Sequence, residues 1–171
     1  MFGSFCPDYR VKSIYDISAK WLKRNGCDKI VVDIDNTLLP RDKSIVGPRA
    51  LNWIRSMQQQ RVNVALITNN TGDRIDGIIR QCGVGCIKRA GKPLPFCYKQ
   101  IKKAFGGGKI MFVGDKLLTD VLGAKFSDHP VILVQSLGGK EHFLTRLMGS
   151  IERFIFNRLV ASGKMPKERV L

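Results

Sequence analysis

Lys29-Ile-Val-Val-Asp33-Ile-Asp35-Asn36-Thr37-Leu38 is the stretch on which the reading of this chain turns. Ile30, Val31 and Val32 form a short β-branched run, the signature of a strand buried on both faces. Two carboxylates, Asp33 and Asp35, follow where the strand should give way to a loop. Open α/β sheets collect their chemistry at the carboxyl ends of strands, so a reactive centre is expected here. Carboxylates so placed can divide labour, one as nucleophile or metal ligand and the other as acid or base. Asp-x-Asp and Asn-Thr also serve as ordinary turn and cap chemistry, so the stretch needs support from elsewhere.

That support lies further along. Thr68 ends the apolar run Val64-Ala-Leu-Ile, and Asn69 and Asn70 follow it. Lys92 stands in Gly91-Lys92-Pro93, at the start of a helical pattern. Gly114-Asp115 closes the run Lys109-Ile-Met-Phe-Val, with Thr119-Asp120 shortly after. Together these residues resemble the four signatures of the haloacid dehalogenase-like (HAD) phosphatase superfamily, in their usual order and at strand and helix ends. Taken singly, each is common turn, cap or helix-start chemistry, and the joint occurrence carries the resemblance.

A length of 171 residues suits one α/β domain with a proper core, and hydrophobic content of 44% with 25% charged residues is ordinary for a globular chain. The formal charge of +15 is not ordinary and points to anionic partners: phosphorylated substrates, anionic lipid or nucleic acid. The five cysteines show no Cys-x-x-Cys spacing, Cys82 and Cys86 around Gly83-Val-Gly85 read as buried thiols, and a reducing compartment fits best. No apolar run approaches a bilayer span, and the first residues lack a secretory pattern, so a cytoplasmic, soluble or peripheral protein is expected.

The alternation of apolar runs and amphipathic stretches predicts a three-layer, Rossmann-like α/β fold with a parallel sheet of about five strands, in a single domain over 1–171. Residues 1–28 read as a leader followed by a short helix, with Ser18 as its N-cap and Gly26 as its stop. Pro48 opens a helix with Leu51, Ile54 and Met57 as its stripe, and further helices are expected over 73–82, 96–105 and 117–125. Gly106-Gly-Gly108 precedes a strand, on the edge away from the candidate chemistry, and reads as a turn. The short connection from Leu39 to Pro48 leaves no room for a cap, implying an open site. From Glu141 a long basic amphipathic helix begins, fit either to pack on the sheet or to lie on anionic membrane. The tail from Gly163 to Leu171 looks frayed.

The HAD resemblance implies roles for these residues. Asp33 would attack phosphorus and form an aspartyl-phosphate. Asp35 would protonate the leaving group and then activate water. Thr68 and Asn69 would grip the phosphoryl group, Lys92 would neutralise charge, and Asp115 and Asp120 would join Asp33 and Asp35 in holding Mg²⁺. Over most of its length the chain also resembles the YqeG-type HAD subfamily, through the Pro7 to Ile17 leader, Ile67-Thr-Asn-Asn70 and Gly114-Asp-Lys-Leu-Leu-Thr-Asp120. A related branch removes phosphate from phosphatidylglycerophosphate, so the resemblance implies a lipid headgroup as substrate and peripheral contact with an anionic membrane. The alternatives are a phosphatase of nucleic-acid ends or phosphoproteins, and a nucleic-acid or ribosome-associated binding protein on the same scaffold. Aromatic residues are not interleaved with the basic ones, which disfavours the binding protein.

Overall fold

A computed structural model describes residues 3–138 and 143–171, with the side chains of 143–148 outside that description. In chain order the elements are β1 (Tyr9–Val11), α1 (Ala19–Arg24), β2 (Lys29–Asp33), α2 (Pro48–Gln59), β3 (Asn63–Ile67) and α3 (Asp73–Cys82). There follow β4 (Gly85–Ile87), α4 (Pro95–Ala104), β5 (Ile110–Gly114), α5 (Leu122–Phe126), β6 (Val131–Val134) and α6 (Phe143–Ala161). All strand pairings are parallel, in the order β1-β6-β5-β2-β3-β4. Parallel neighbours need crossover connections, which is why helices separate the strands.

The strand period of two builds two cores. Ile30 and Val32 face a cluster with Leu22, Ile54 and Ile78 from α1, α2 and α3. Val31 faces the opposite way, into a cluster with Ile101, Ala124 and Leu159 from α4, α5 and α6. With helices on both faces, β2 has no polar side to show, and its apolar run follows from that. The expected three-layer architecture is therefore present.

Local signals hold where their chemistry is strong. The Ser18 hydroxyl accepts from the Trp21 N–H at 3.2 Å and caps α1. Pro48 opens α2, whose buried residues are Ala50, Ile54 and Met57, with Leu51 half-buried. The expected helix over 117–125 starts instead as a π-helical turn, Leu117–Val121, before α5. The cysteines are free, and burial pushes the Cys82 thiol up to about 11 and the Cys86 thiol up to about 12, so both are poor nucleophiles at neutral pH.

The sheet has six strands because the leader supplies one: β1 pairs with β6, matching Val11 with Val134. Only Val11 of its three residues is buried, too little pattern to mark a strand. The tail from Gly163 is not frayed. The Arg169 N–H donates to the Arg10 carbonyl at 3.1 Å, and Leu171 both donates to the Asp16 carbonyl (2.6 Å) and accepts from the Ser18 N–H (3.0 Å). Backbone bonds of this kind are indifferent to side-chain composition, so a polar stretch gives no hint of them. The expected onset of the last helix at Glu141 lies outside the described residues. Within α6, Ile155 and Leu159 are buried, while Ile151, Phe154 and Val160 are exposed.

Candidate active site

Chain order explains the site's position. After β2 the chain builds β3 and β4 on one side, then returns to lay β5 on the other. The carboxyl ends of β2 and β5 thus flank a switch point, where two loops part and leave a crevice. Asp33 ends β2, Asp115 directly follows β5, and the register sets Val32 beside Val113. Asp35, Thr68, Asn69, Lys92, Asp115 and Asp120 line a cleft of about 130 Å³ there, together with Asp33. The structure brings together every residue singled out in the sequence.

The inner wall is a buried ionic cluster. The Lys92 ammonium donates to Asp33 Oδ1 and, at 2.5 Å, to Asp120 Oδ1. All three residues are buried. Asn69 holds Lys92 by its backbone, donating to its carbonyl at 3.1 Å and accepting from its N–H at 2.8 Å. Asn69 thus fixes the lysine in the closed arrangement. Asp120 is steadied by the Lys116 N–H at 3.1 Å and lies against Gly114, where an added Cβ would collide with its carboxylate. Only glycine fits there. Thr37 donates to Asp115 at 3.5 Å, and Ser136 also hydrogen-bonds that carboxylate.

Burial raises Asp33 well above the usual carboxylate range; Lys92 opposes the shift, and Asp120 and Asp115 add to it. Asp115 is pushed up to about 7, by burial first and by Asp120 second. Burial alone would pull Lys92 down, but the carboxylates of Asp120 and Asp33 hold it above its ordinary value. Oxygens of Asp33, Asp115 and Asp120 lie within 4.8 Å of one another. Three carboxylates share one ammonium, an excess of buried negative charge. Hard oxygen donors gathered in this way fit a divalent cation of the Mg²⁺ class. The donor set therefore suits the metal expected of it.

The outer wall belongs to Asp35, and here sequence reasoning missed two residues. Arg74 Nη1 donates to Asp35 Oδ1 at 2.8 Å, and Asn70 Nδ2 donates to Oδ2 at 2.7 Å. The Thr68 hydroxyl donates to Oδ2 at 3.3 Å while accepting from the Asn70 N–H at 3.0 Å. Arg74 sits on the first turn of α3, and its Nε is anchored on the Lys43 carbonyl at 2.8 Å. That helix starts a few residues beyond the end of β3, and its first side chains overhang the crevice. This placement is the signal that could have found Arg74. Three donors, from Arg74, Asn70 and Thr68, thus fix the orientation of the Asp35 carboxylate.

Comparison with known proteins agrees with the geometry. A family model described as a haloacid dehalogenase-like hydrolase matches residues 12–128. The chain is 31% identical over 166 residues to a protein of Bacillus subtilis (strain 168) named "Probable phosphatase YqeG", covering 96% of each. It is 23% identical over 177 residues to phosphatidylglycerophosphate phosphatase 1, chloroplastic/mitochondrial, of Arabidopsis thaliana, covering 96% of this chain and 51% of that one. Among solved structures, the cobalt-bound deoxy-D-mannose-octulosonate 8-phosphate phosphatase of Haemophilus influenzae superposes with a TM-score of 0.54 at 15% identity, over 78% of this chain and 91% of that one. The 3-deoxy-D-manno-octulosonate 8-phosphate phosphatase of Yersinia pestis gives a TM-score of 0.50 at 12% identity, over 88% and 90%. At these identities the two structures speak to fold alone.

Proposed function

This chain belongs to the haloacid dehalogenase-like hydrolase family and is a phosphatase, and from that premise we propose that it hydrolyses phosphomonoesters with Mg²⁺ through an aspartyl-phosphate on Asp33, its substrate a lipid headgroup such as phosphatidylglycerophosphate. The observation that carries this reading is the buried Asp33–Lys92–Asp120 cluster with Asp115 beside it.

Asp33 is the nucleophile. One carboxylate oxygen attacks phosphorus as the bond to the leaving oxygen breaks. Lys92 opposes the rise that burial imposes on Asp33 and places positive charge where the transferring group gains negative charge. Asp35 gives its proton to the leaving alkoxide. It then takes one from the water that attacks phosphorus and frees Asp33 with inorganic phosphate. Arg74 and Asn70 hold the Asp35 carboxylate in place over the cleft for both steps. Thr68 and Asn69 border the space for the phosphoryl oxygens. Asp33, Asp115 and Asp120, with the Asp35 backbone carbonyl, would hold Mg²⁺, which supplies Lewis-acid polarisation of the phosphoryl oxygens and screens their charge from the nucleophile.

Three features favour a lipid substrate. One relative is named for phosphatidylglycerophosphate. The connection over residues 34–47 carries no helix or strand that would cap the cleft. The net charge of +15 suits an anionic surface, and peripheral, cytoplasmic-side attachment follows from it. No helix among the described residues is long and apolar enough to cross a membrane.

The test is phosphate release from phosphatidylglycerophosphate in mixed vesicles, with Mg²⁺ or a chelator, for wild type and Asp33→Asn. Metal-dependent release is expected, with a loss of roughly ten-thousandfold or more in the variant and an unchanged fold. Hydrolysis of p-nitrophenyl phosphate alone would move the substrate to nucleic-acid ends or phosphoproteins. Silence on both would overturn the reading and leave the nucleic-acid-binding alternative.

A further inference from the structure

The cleft has a rim that catalysis does not use. Two and four residues past Lys92, Leu94 and Phe96 are 64% and 67% exposed, among the most exposed large apolar side chains of the protein. They stand at the start of α4, which points its first turn toward the carboxyl ends of the strands. Across the mouth, Leu137 is 45% exposed, and its N–H donates to the Asn36 carbonyl at 2.8 Å. Apolar groups thus flank the opening on both sides.

The charge around them is of one sign. Between Asp76 and Asp115 the sequence has eight lysines and arginines and no Asp or Glu. Phe96, Lys99 and Lys103 recur at helical spacing and are exposed, so they share the outward face of α4. Arg89, also exposed, lies on the loop leading to Lys92. Arg89, Lys99 and Lys103 form no ion pair with any described carboxylate. An aromatic and an aliphatic tip backed by unpaired cations is the pattern of a surface that enters a lipid interface. Nucleic acid would engage the charge but gain nothing from a protruding leucine.

We propose that this rim, with Leu94 and Phe96 at its tip and Arg89, Lys99 and Lys103 behind, docks the protein on an anionic lipid bilayer with the cleft facing the headgroups. The proposal rests on the phosphatase reading only for what the docked cleft would do. It assigns the contact to α4 and not to α6. Among the described residues of α6, the exposed Ile151, Phe154 and Val160 do not line the cleft, and the Phe154 ring is already overlaid by the Arg158 guanidinium at 5.5 Å.

Flotation with phosphatidylcholine vesicles, with and without phosphatidylglycerol, tests this. Wild type should float only with phosphatidylglycerol, and less at high salt. Leu94→Ser/Phe96→Ser should weaken partitioning roughly tenfold or more, Lys99→Glu/Lys103→Glu should do likewise, and Ile151→Ser/Phe154→Ser should leave it unchanged. All variants should keep wild-type turnover of soluble p-nitrophenyl phosphate. Loss of flotation confined to the α6 variant would overturn the assignment. So would wild type that binds single-stranded RNA but not vesicles, or that binds neither. Turnover of p-nitrophenyl phosphate is scored separately, so absent activity with intact flotation would remove the phosphatase reading and leave the docking surface standing.

Discussion

Asp33 and Asp35 leave the same loop two residues apart, yet the two walls of the cleft treat them differently. On the inner wall Asp33 is buried and shares one ammonium with Asp120, with Asp115 alongside. On the outer wall Asp35 is partly exposed and caged by a guanidinium, an amide and a hydroxyl. The inner wall gathers more carboxylates than cations, a crowding that a bound cation or a retained proton relieves. The outer wall is balanced as it stands. β2 ends at Asp33, so Asp35 stands on the loop beyond it among different neighbours, and surroundings are what separate a nucleophile from an acid–base group.

Removing the inner cation should break this contrast most severely. Lys92→Met leaves buried carboxylates without their partner, and the metal-free protein should lose roughly 3–5 kcal/mol, read from urea unfolding. Turnover should fall at least as far as for a lost oxyanion-hole donor, roughly a hundredfold to a thousandfold. A stability change below about 1 kcal/mol would mean the inner wall is as well solvated as the outer.

Arg74→Ala should be milder and should act on chemistry more than on folding. Arg74 acts through Asp35, so kcat should drop by roughly tenfold to a hundredfold while stability changes by about 1 kcal/mol or less. Arg74→Lys should restore part of the rate, and a shifted pH–rate profile in Arg74→Ala would separate positioning from mere structure. Equal losses of stability in Arg74→Ala and Lys92→Met would erase the distinction between the walls.

A further contrast lies in pH dependence. Asp115, pushed up to about 7, binds a proton in the native chain over a range where the unfolded chain has released it. The metal-free protein therefore holds this stability at low pH and loses it as pH rises toward about 7. Unfolding in chelator between pH 4 and 8 should show that decline, and Asp115→Asn should make it shallower, with the part owed to the raised Asp33 remaining.

Much of the inner wall was legible in the sequence because each member sits beside a strong local signal: β-branched strands before Asp33 and Asp115, a turn dipeptide at Lys92. Arg74 carried no such mark, and Asn70 stood in the motif after β3 with no role attached to it. Their importance comes from how α3 is set over the end of β3, a tertiary fact that periodicity does not encode. The tail was misread for a related reason. Its side chains predict solvent, while its backbone makes the bonds. The membrane contact expected of the last helix moves, in our proposal, to α4, whose single-signed charge is visible in the sequence but whose exposed Leu94 and Phe96 are not.

The bonding of the tail to β1 also bears on the order in which the molecule assembles. Arg10 and Glu168 meet across 158 positions, a loop closure far longer than any between neighbouring βαβ units. Such closure gains nothing until the intervening sheet is in place, so this edge is the last seam to close and the first to open. Transient opening there would bare the rim of β1 without disturbing β2 and β5, where the carboxylates of the candidate site are seated. The fold thus keeps its weakest hinge of assembly at the far margin of the sheet, and its chemistry at the centre.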